Sequence, residues 1–594
     1  MNSNLIPVSA LSPKHSIPSI SSLKSDRCGL LLGQERVIDA FSLLGKIADQ
    51  HMYLADFTAT DRKPFIKALV NNAGTINNQY LLLTNSDEKP QFSWNEIAAP
   101  KIDNAQAKTD TCNFGTKSTS YRYLAGNISK VDLLGRIKKA AIHEPSVTEQ
   151  SFADYTYEAG ALSQCHYLFI CADSLWKREG LWEFVFDIID KREYKVHSSL
   201  PAIPLHCKII MVGSSTQYSV TWLEETRFLQ HFPLLGEMAS ELDLNRYESE
   251  QYTQWLVEVA SSAALTLSQS SLAPLYLYSA RLADHQQRLS LLSTPVKQLL
   301  AQANAYSQEA EITAEDINNA LKQHQLRHNS SEQHSAQNFD DKFIKLPTDD
   351  YMIGQINGLT VLETVEHCYG EPARITASVH YGDGEVADIE RKSELGGNIH
   401  AKGMMILSSC LYRIFGKDAP LHLNANIVFE QSYQEIDGDS ASLAEYCSLI
   451  SAITEKPIYQ GIAVTGAIDQ FGQVQAIGGV NEKVEGFFNL CQRRGLSGEQ
   501  GVIIPRSNTQ QLNLSPAVLQ AVANNKFKLY HIEHIDEAVE LLMNTSAGIA
   551  DENGNFPDDS VYGLVQSRLA NLAGYQEEET SFFAKLLEKL RFSS

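Results

Sequence analysis

Two segments of the 594-residue chain hold residue types that can do chemistry together. The first reads Glu435-Ile436-Asp437-Gly438-Asp439-Ser440-Ala441-Ser442. The second reads Gln475-Ala476-Ile477-Gly478-Gly479-Val480-Asn481-Glu482-Lys483-Val484. A serine hydroxyl is a weak nucleophile until a neighbouring base takes its proton. Lysine can be that base when it is neutral, and burial favours the neutral form. Such a pair needs neither histidine nor aspartate. Taken singly, each residue has a plainer reading. A serine opening a helix is a cap, and a lysine beside an apolar helical face is solvated.

The elements that must position them are legible. Gly438 permits a tight turn of either φ sign. After it, Ala441, Leu443, Ala444, Cys447 and Ile450 give a helix over about 440–454. Gly478 and Gly479 separate a strand from a second helix, 480–494, whose apolar face is Val480, Val484, Phe487, Phe488 and Cys491. A third helix is expected at 400–415. Strand-like runs fall at 375–380, 421–430, 461–468, 473–477 and 501–504, with a turn at Asp469-Gln470-Phe471-Gly472. Residues 343–545 therefore read as one α+β domain.

Both segments and the 43-residue step from Ser440 to Lys483 resemble the proteolytic domain of the Lon family of ATP-dependent proteases. The likeness is to the branch with D-G-D-S-A-S around the serine. Asp388-Ile389-Glu390-Arg391, Gly396-Gly397-Asn398-Ile399-His400-Ala401-Lys402-Gly403 and Phe429-Glu430-Gln431-Ser432-Tyr433 resemble it too. The resemblance implies a serine endopeptidase acting on proteins or peptides. Ser440 would attack the peptide carbonyl, Lys483 would take its proton and later activate water, and Thr465 would hydrogen-bond the lysine. Backbone N–H groups around Ser440 would hold the oxyanion. Ser442 and Ser432 lack the family spacing to Lys483. The rival reading is a non-catalytic assembly or regulatory protein.

In this family an AAA+ ATPase module precedes the protease, and Gly33-Gln34-Glu35-Arg36 resembles its start. The expected organisation is a flexible tail over 1–28, a degenerate AAA+ α/β module over 29–235 and a helical lid over 236–327. A linker (328–342), the proteolytic domain (343–545) and a C-terminal tail (546–594) with an amphipathic helix around Phe582 to Leu590 would follow. Strand-like runs at 51–54, 167–170 and 208–212, with helices between, predict a parallel sheet. Residues 85–155 read as polar and irregular.

The nucleotide motifs are altered. A phosphate loop needs glycines and a lysine so that backbone N–H groups and one cation meet the phosphates. Here the text is Ala55-Asp56-Phe57-Thr58-Ala59-Thr60-Asp61-Arg62-Lys63, without glycine and with two acids. Asp56, Thr60 and Lys63 mark this degenerate loop. Cys171 and Ala172 stand where magnesium-holding acids would be, with Asp173 one step late, and Gly213-Ser214-Ser215 where an asparagine is usual. Arg281, in the lid, is either a relic of nucleotide sensing or a solvated arginine. ATP is implied by the resemblance and opposed by these residues, while peptide hydrolysis itself needs no cofactor. The module then reads as a scaffold or gate, and a hexameric homo-oligomeric ring is implied by family alone.

Composition sets the outer limits. A formal net charge of −22 argues against dedicated nucleic-acid binding. There is no apolar run long enough to span a membrane and no secretory signal, so a cytoplasmic protein is expected. Nine scattered cysteines without C-x-x-C fit reduced buried thiols. No H-E-x-x-H or Cys/His cluster suggests a metal. Ser21-Ser22-Leu23-Lys24 matches S-x-x-K without its companion motifs, and Gly382-Asp383-Gly384 reads as a turn. Gly438 to Ser442 falls one residue short of a hydrolase elbow, although Asp469 and His531 follow it.

Overall fold

A computed structural model describes residues 4–23, 29–74, 79–86, 89–95, 111–117, 119–139 and 155–198. It also describes 200–573, except 366, 383, 417–420, 433 and 434. The chain divides into two compact units. One comprises Ser16–Ser279 and Leu289–Asn318; the other comprises Met1–His15, Ala280–Arg288 and Asn319–Ser594.

The first unit is built on five parallel strands: Met52–Ala55 (β1), Thr119–Leu124 (β2), Cys165–Cys171 (β3), Lys208–Gly213 (β4) and Leu234–Glu237 (β5). Their order is β5-β1-β4-β3-β2. Alternate residues feed two cores. Tyr53, Leu168, Ile170, Ile209 and Met211 enter one; Met52, Leu54, Phe169, Ile210 and Val212 enter the other. Both faces are covered, as parallel sheets require. Helix Glu35–Leu44 (α1) buries Val37, Phe41 and Leu44 as its periodicity predicts, and Arg62–Asn72 (α2) follows β1. The expectation of irregular structure across 85–155 is corrected. Tyr80–Ser86, Lys89–Asn95 and Thr111–Lys117 form a small antiparallel sheet, and Gly135–Lys139 pairs with Tyr155–Ala159. Apart from Tyr80-Leu81-Leu82-Leu83, these strands carry many polar residues and lack the apolar runs that mark strands in sequence. Helices Ser249–Ser262, Ser293–Tyr306 and Ala314–His328 lie in the expected helical region, which also holds the two-stranded pair Glu241–Asp243 and Arg288–Ser290.

The second unit carries a seven-stranded mixed sheet. Its strands are Gln355–Glu363 (β6), Cys368–Tyr381 (β7), Val386–Asp388 (β8), Leu423–Glu430 (β9), Ile462–Val464 (β10), Gly501–Pro505 (β11) and Lys528–Ile532 (β12), in the order β8-β9-β7-β6-β10-β11-β12. Its cores again separate by strand alternation. Ile356, Ile375, Val464 and Ile503 point into one, with helices Asn398–Phe415 (α4) and Ser442–Thr454 (α5). Leu359, Ala463, Val502 and Ile504 point into the other, with helix Val480–Arg494 (α6). Helix Leu272–Leu282 (α3) carries Arg281 in its last turn.

In three segments read as tail or linker, described residues pack against the second unit's cores or form helix. Leu5 bridges Tyr530, Ile6 N–H donates to the Leu529 carbonyl at 2.9 Å, and Ile6 and Leu11 are buried in the α6-side core. Two apolar side chains thus anchor a stretch that its Ser/Pro/Lys composition made look like a tail. The segment read as a linker is helical over Ser330–Asp340 and buries Phe339. Beyond 545, Ala547, Val561, Tyr562, Val565 and Leu572 join the α5-side core, and 561–573 are helical. The amphipathic helix expected around Phe582 to Leu590 lies outside the described residues, as does Lys24. Cys165, Cys171, Cys207, Cys410, Cys447 and Cys491 are buried free thiols, whereas Cys368 is exposed. Among the described residues no helix is long and apolar enough to cross a membrane.

Candidate active site

Helices α5 and α6 belong to opposite faces of the second sheet, and their N-terminal ends meet past the end of β10. The strand expected over 461–468 stops at Val464 and resumes only at Ala467–Ile468. Into that break fits the turn before α5. Gly466 N–H donates to the Ser440 carbonyl at 2.8 Å, Leu443 N–H donates to the Gly466 carbonyl at 3.1 Å, and Ile468 N–H donates to Ser442 Oγ at 3.0 Å. Ser442 is therefore a buried acceptor holding the turn. Ser440 is not the residue that caps α5, because Ala441 intervenes.

The turn is held from its other side by Asp437. Its Oδ1 accepts from the N–H groups of Ile399 (2.9 Å), His400 (3.2 Å) and Gly438 (3.0 Å). The first two are unpaired donors of the first turn of α4. Gly438 adopts φ 117°, which explains the glycine.

Lys483 sits in the first turn and a half of α6 and is 3 % exposed. Its Nζ lies 2.8 Å from Ser440 Oγ. Among the described residues it makes no ion pair. Burial lowers its pKa from 10.5 to about 8, with the Asp439 carboxylate opposing the shift. The neutral form is then about half the population at pH 8, which suits a general base near neutral pH. Two glycines fix the backbone beneath it. A Cβ on Gly370 of β7 would lie 2.0 Å from the Glu482 carbonyl oxygen and 2.7 Å from Lys483 Cα. One on Gly486 would lie 2.1 Å from the Gly370 carbonyl oxygen.

Thr465 is fully buried at the same junction, but its partner differs from the one the resemblance implies. Its hydroxyl donates to the Ser440 carbonyl at 3.2 Å rather than to the lysine. The carbonyl has two lone pairs and already serves Gly466, so the threonine completes a turn clamp.

Asp388, Glu390 and His400 lie in segments that resemble the family, but their spacing does not show what they make. With Glu445 of α5 they form a buried ionisable cluster. His400 Nε2 lies 3.1 Å from Asp388 Oδ2, and Nδ1 lies 3.8 Å from Glu445 Oε1. Glu390 accepts from Phe429 N–H at 3.0 Å. Burial pushes Glu445 up to about 7, with His400 opposing. His400 itself is raised: burial lowers it, but Asp388 and Glu445 outweigh that. No local motif announces this cluster, because its members come from β8, the turn after it, α4 and α5.

In the first unit the degenerate loop is filled by its own side chains. Arg62 forms a two-pronged pair with buried Asp56, at 2.6 Å and 3.0 Å. The same guanidinium reaches Tyr123 Oη at 3.3 Å and Cys171 Sγ at 3.2 Å. Lys297 pairs with Asp61 at 2.5 Å. Lys63 is exposed on α2. The cavity lined by Gln34, Thr60, Asp61, Phe65, Trp255 and Ser293 measures about 20 Å³, room for roughly one water. Ser214 caps the helix after β4 by accepting from Gln217 N–H at 3.1 Å. Arg281, about two-thirds buried, is not a freely solvated arginine; it bonds Glu482 and Glu485.

Comparison with known proteins agrees with this architecture. The Lon protease (S16) C-terminal proteolytic domain matches residues 415–545, and the archaeal LonB AAA+ ATPase lid domain matches 266–327. A Lon protease homolog of Haemophilus influenzae is 36 % identical over 430 residues, covering 70 % of this chain and 71 % of that protein. One from Escherichia coli is 36 % identical over 412 residues, covering 66 % and 69 %. The archaeal Lon protease of Archaeoglobus fulgidus is 28 % identical over 197 residues, 33 % of this chain and 29 % of its own. The fold is thus an AAA+ module with its lid followed by a Lon proteolytic domain, and the chain belongs to the Lon protease family.

Proposed function

We propose that this protein is an active serine endopeptidase in which Ser440 is the nucleophile and Lys483 the general base. The observation that carries the reading is the 2.8 Å approach of a buried, unpaired Lys483 to Ser440 Oγ. Ser440 Oγ attacks the peptide carbonyl carbon while its proton passes to Nζ. The C–N bond then breaks, the leaving amine takes that proton, and an acyl-enzyme remains. Water attacks the acyl carbon, Nζ takes its proton, and Ser440 is regenerated with release of the acid. The oxyanion would meet the N–H groups at Ser440 and Ala441, since those of Ser442 and Leu443 serve Asp439 and Gly466. Thr465 sets the turn that aims Oγ.

The substrates are proteins or peptides, and the assembly is a homo-oligomer as family membership suggests. The AAA+ module acts as scaffold or gate without ATP hydrolysis. The Asp56–Arg62 and Lys297–Asp61 pairs and the 20 Å³ cavity support that reading. Hydrolysis of casein and a fluorogenic peptide by wild type and Ser440→Ala, with and without ATP, tests it. Wild type should cleave both equally well with or without nucleotide, and Ser440→Ala should cleave neither while keeping its fold. Undiminished cleavage by Ser440→Ala would overturn the assignment.

A further inference from the structure

The residues flanking Lys483 on α6 are held by a group from far away in the chain. Arg281 Nη2 lies 2.7 Å from Glu482 Oε1 and 3.1 Å from Glu485 Oε2. Its Nη1 lies 3.4 Å from Glu485 Oε1 and donates to the Asn513 carbonyl at 2.7 Å. Glu482 and Glu485 are spaced i, i+3 and so share a helix face. The guanidinium spans one turn of helix at the level of the catalytic lysine. The two carboxylates are 18 % and 22 % exposed, and Arg281 is 31 % exposed. This is a partly buried network, unlike an isolated surface pair.

The stretch around Arg281 is itself fastened. Gln286 N–H donates to the Gln510 carbonyl at 2.7 Å, and its side-chain amide donates to the Leu512 and Ala10 carbonyls at 2.6 Å and 2.9 Å. Gln511 Nε2 donates to Asp284 at 2.8 Å. Buried Asn481, two residues before Lys483, accepts from Asn513 N–H at 2.7 Å and donates to the Gln511 carbonyl at 2.8 Å. Glu485 also accepts from Ser515 N–H at 2.8 Å. Residues 280–288, 510–515 and the first turns of α6 thus form one hydrogen-bonded clamp.

Building on the Ser440–Lys483 reading, we infer that Arg281 is a positioning residue for the peptidase reaction: by bridging Glu482 and Glu485 it fixes the start of α6 and so the placement of Lys483 Nζ against Ser440 Oγ. Small displacements of a reacting group cost rate steeply. A loosened α6 also admits water to Nζ and raises the lysine toward its ordinary value.

Arg281→Gln should lower kcat by about 10- to 100-fold with KM changed less than about twofold. The ascending limb of its pH–rate profile should move to higher pH. Loss of folded protein alone would lower the amount of active enzyme without moving that limb. Arg281→Lys should recover part of kcat. The double variant Glu482→Gln/Glu485→Gln should match Arg281→Gln, and combining all three should add little. Hydrogen exchange of amides 481–486, faster in Arg281→Gln than in wild type, reads the clamp without any turnover. An active wild type whose kcat and pH limb are unmoved by Arg281→Gln overturns the inference. So does unchanged exchange at 481–486, whether or not wild type cleaves peptide. An inactive wild type instead refutes the dyad.

Discussion

Two strand-to-helix junctions of this molecule each place a cationic side chain in a partly or wholly buried site, and they use it oppositely. At the end of β1, Arg62 meets the carboxylate of Asp56 through two short bonds. Past the end of β10, Lys483 meets a hydroxyl at 2.8 Å and, among the described residues, no carboxylate in ion-pair reach. The first cation is neutralised by its partner and has nothing left to offer a phosphate. The second makes no ion pair among the described residues, so burial lowers its pKa against the opposing pull of Asp439 and favours the neutral form. Family membership would suggest chemistry at both junctions. The partner of the cation, rather than the presence of one, distinguishes the two junctions.

The largest test of this contrast is Lys483→Met. It should abolish hydrolysis and, in the same protein, raise stability at pH 7 by up to about 3 kcal/mol, read by chemical denaturation. The sign follows from the lowered pKa. The unfolded chain keeps the lysine proton to 10.5 and the folded one releases it near 8, so the burial penalty is full below 8 and fades as pH rises toward 10.5. Wild-type kcat should accordingly climb with pH through about 8.

At the other junction, Asp56→Ala should cost about 2–3 kcal/mol by stranding Arg62. Peptidase activity per folded molecule should not change. A fall in that activity would show that the degenerate loop still takes part. A smaller effect is expected from Glu445→Gln. The raised value of Glu445 means that the wild type loses stability as pH rises from about 4.5 through 7, and the raised value of His400 adds a loss that begins only above 6.5. The variant should lose roughly 1–2 kcal/mol less across that range, visible in melting curves at several pH values. Smallest of all, millimolar ATP should shift the melting temperature by less than about 1 °C. A larger shift would mean that the filled cavity opens.

The junction of Ser440 and Lys483 was legible because its parts are local. Gly438 and Gly479 mark turns in the sequence, and both take positive φ in the structure, while the apolar faces of α5 and α6 announce helices. What went unread depends on distant partners. Thr465 was expected to bond the lysine, yet the carbonyl of Ser440 lies nearer to hand. Arg281 reads from sequence as a relic of nucleotide sensing or a solvated arginine because its two glutamates come about 200 positions later. Gly370 and Gly486 are lone glycines inside a strand and a helix, a signal of close backbone approach that sequence supplies only in retrospect. Most strands between 80 and 159 hold only two or three apolar residues each, too short a signal to mark them.

One of these distant pairings bears on how the protein is made. The segment that covers the outer edge of β12 is separated from it by almost the whole chain, 527 positions between Asn4 and His531. At about 5–20 residues per second, a ribosome emits that edge cover roughly half a minute to two minutes before the strand it joins. Until then Ile6 and Leu11 have no core to enter and β12 does not exist. Closure of the peptidase fold is therefore a late event in synthesis, with a very large sequence separation to cross. A fragment starting at residue 343 would emerge with that edge bare and prone to pair with its own copies.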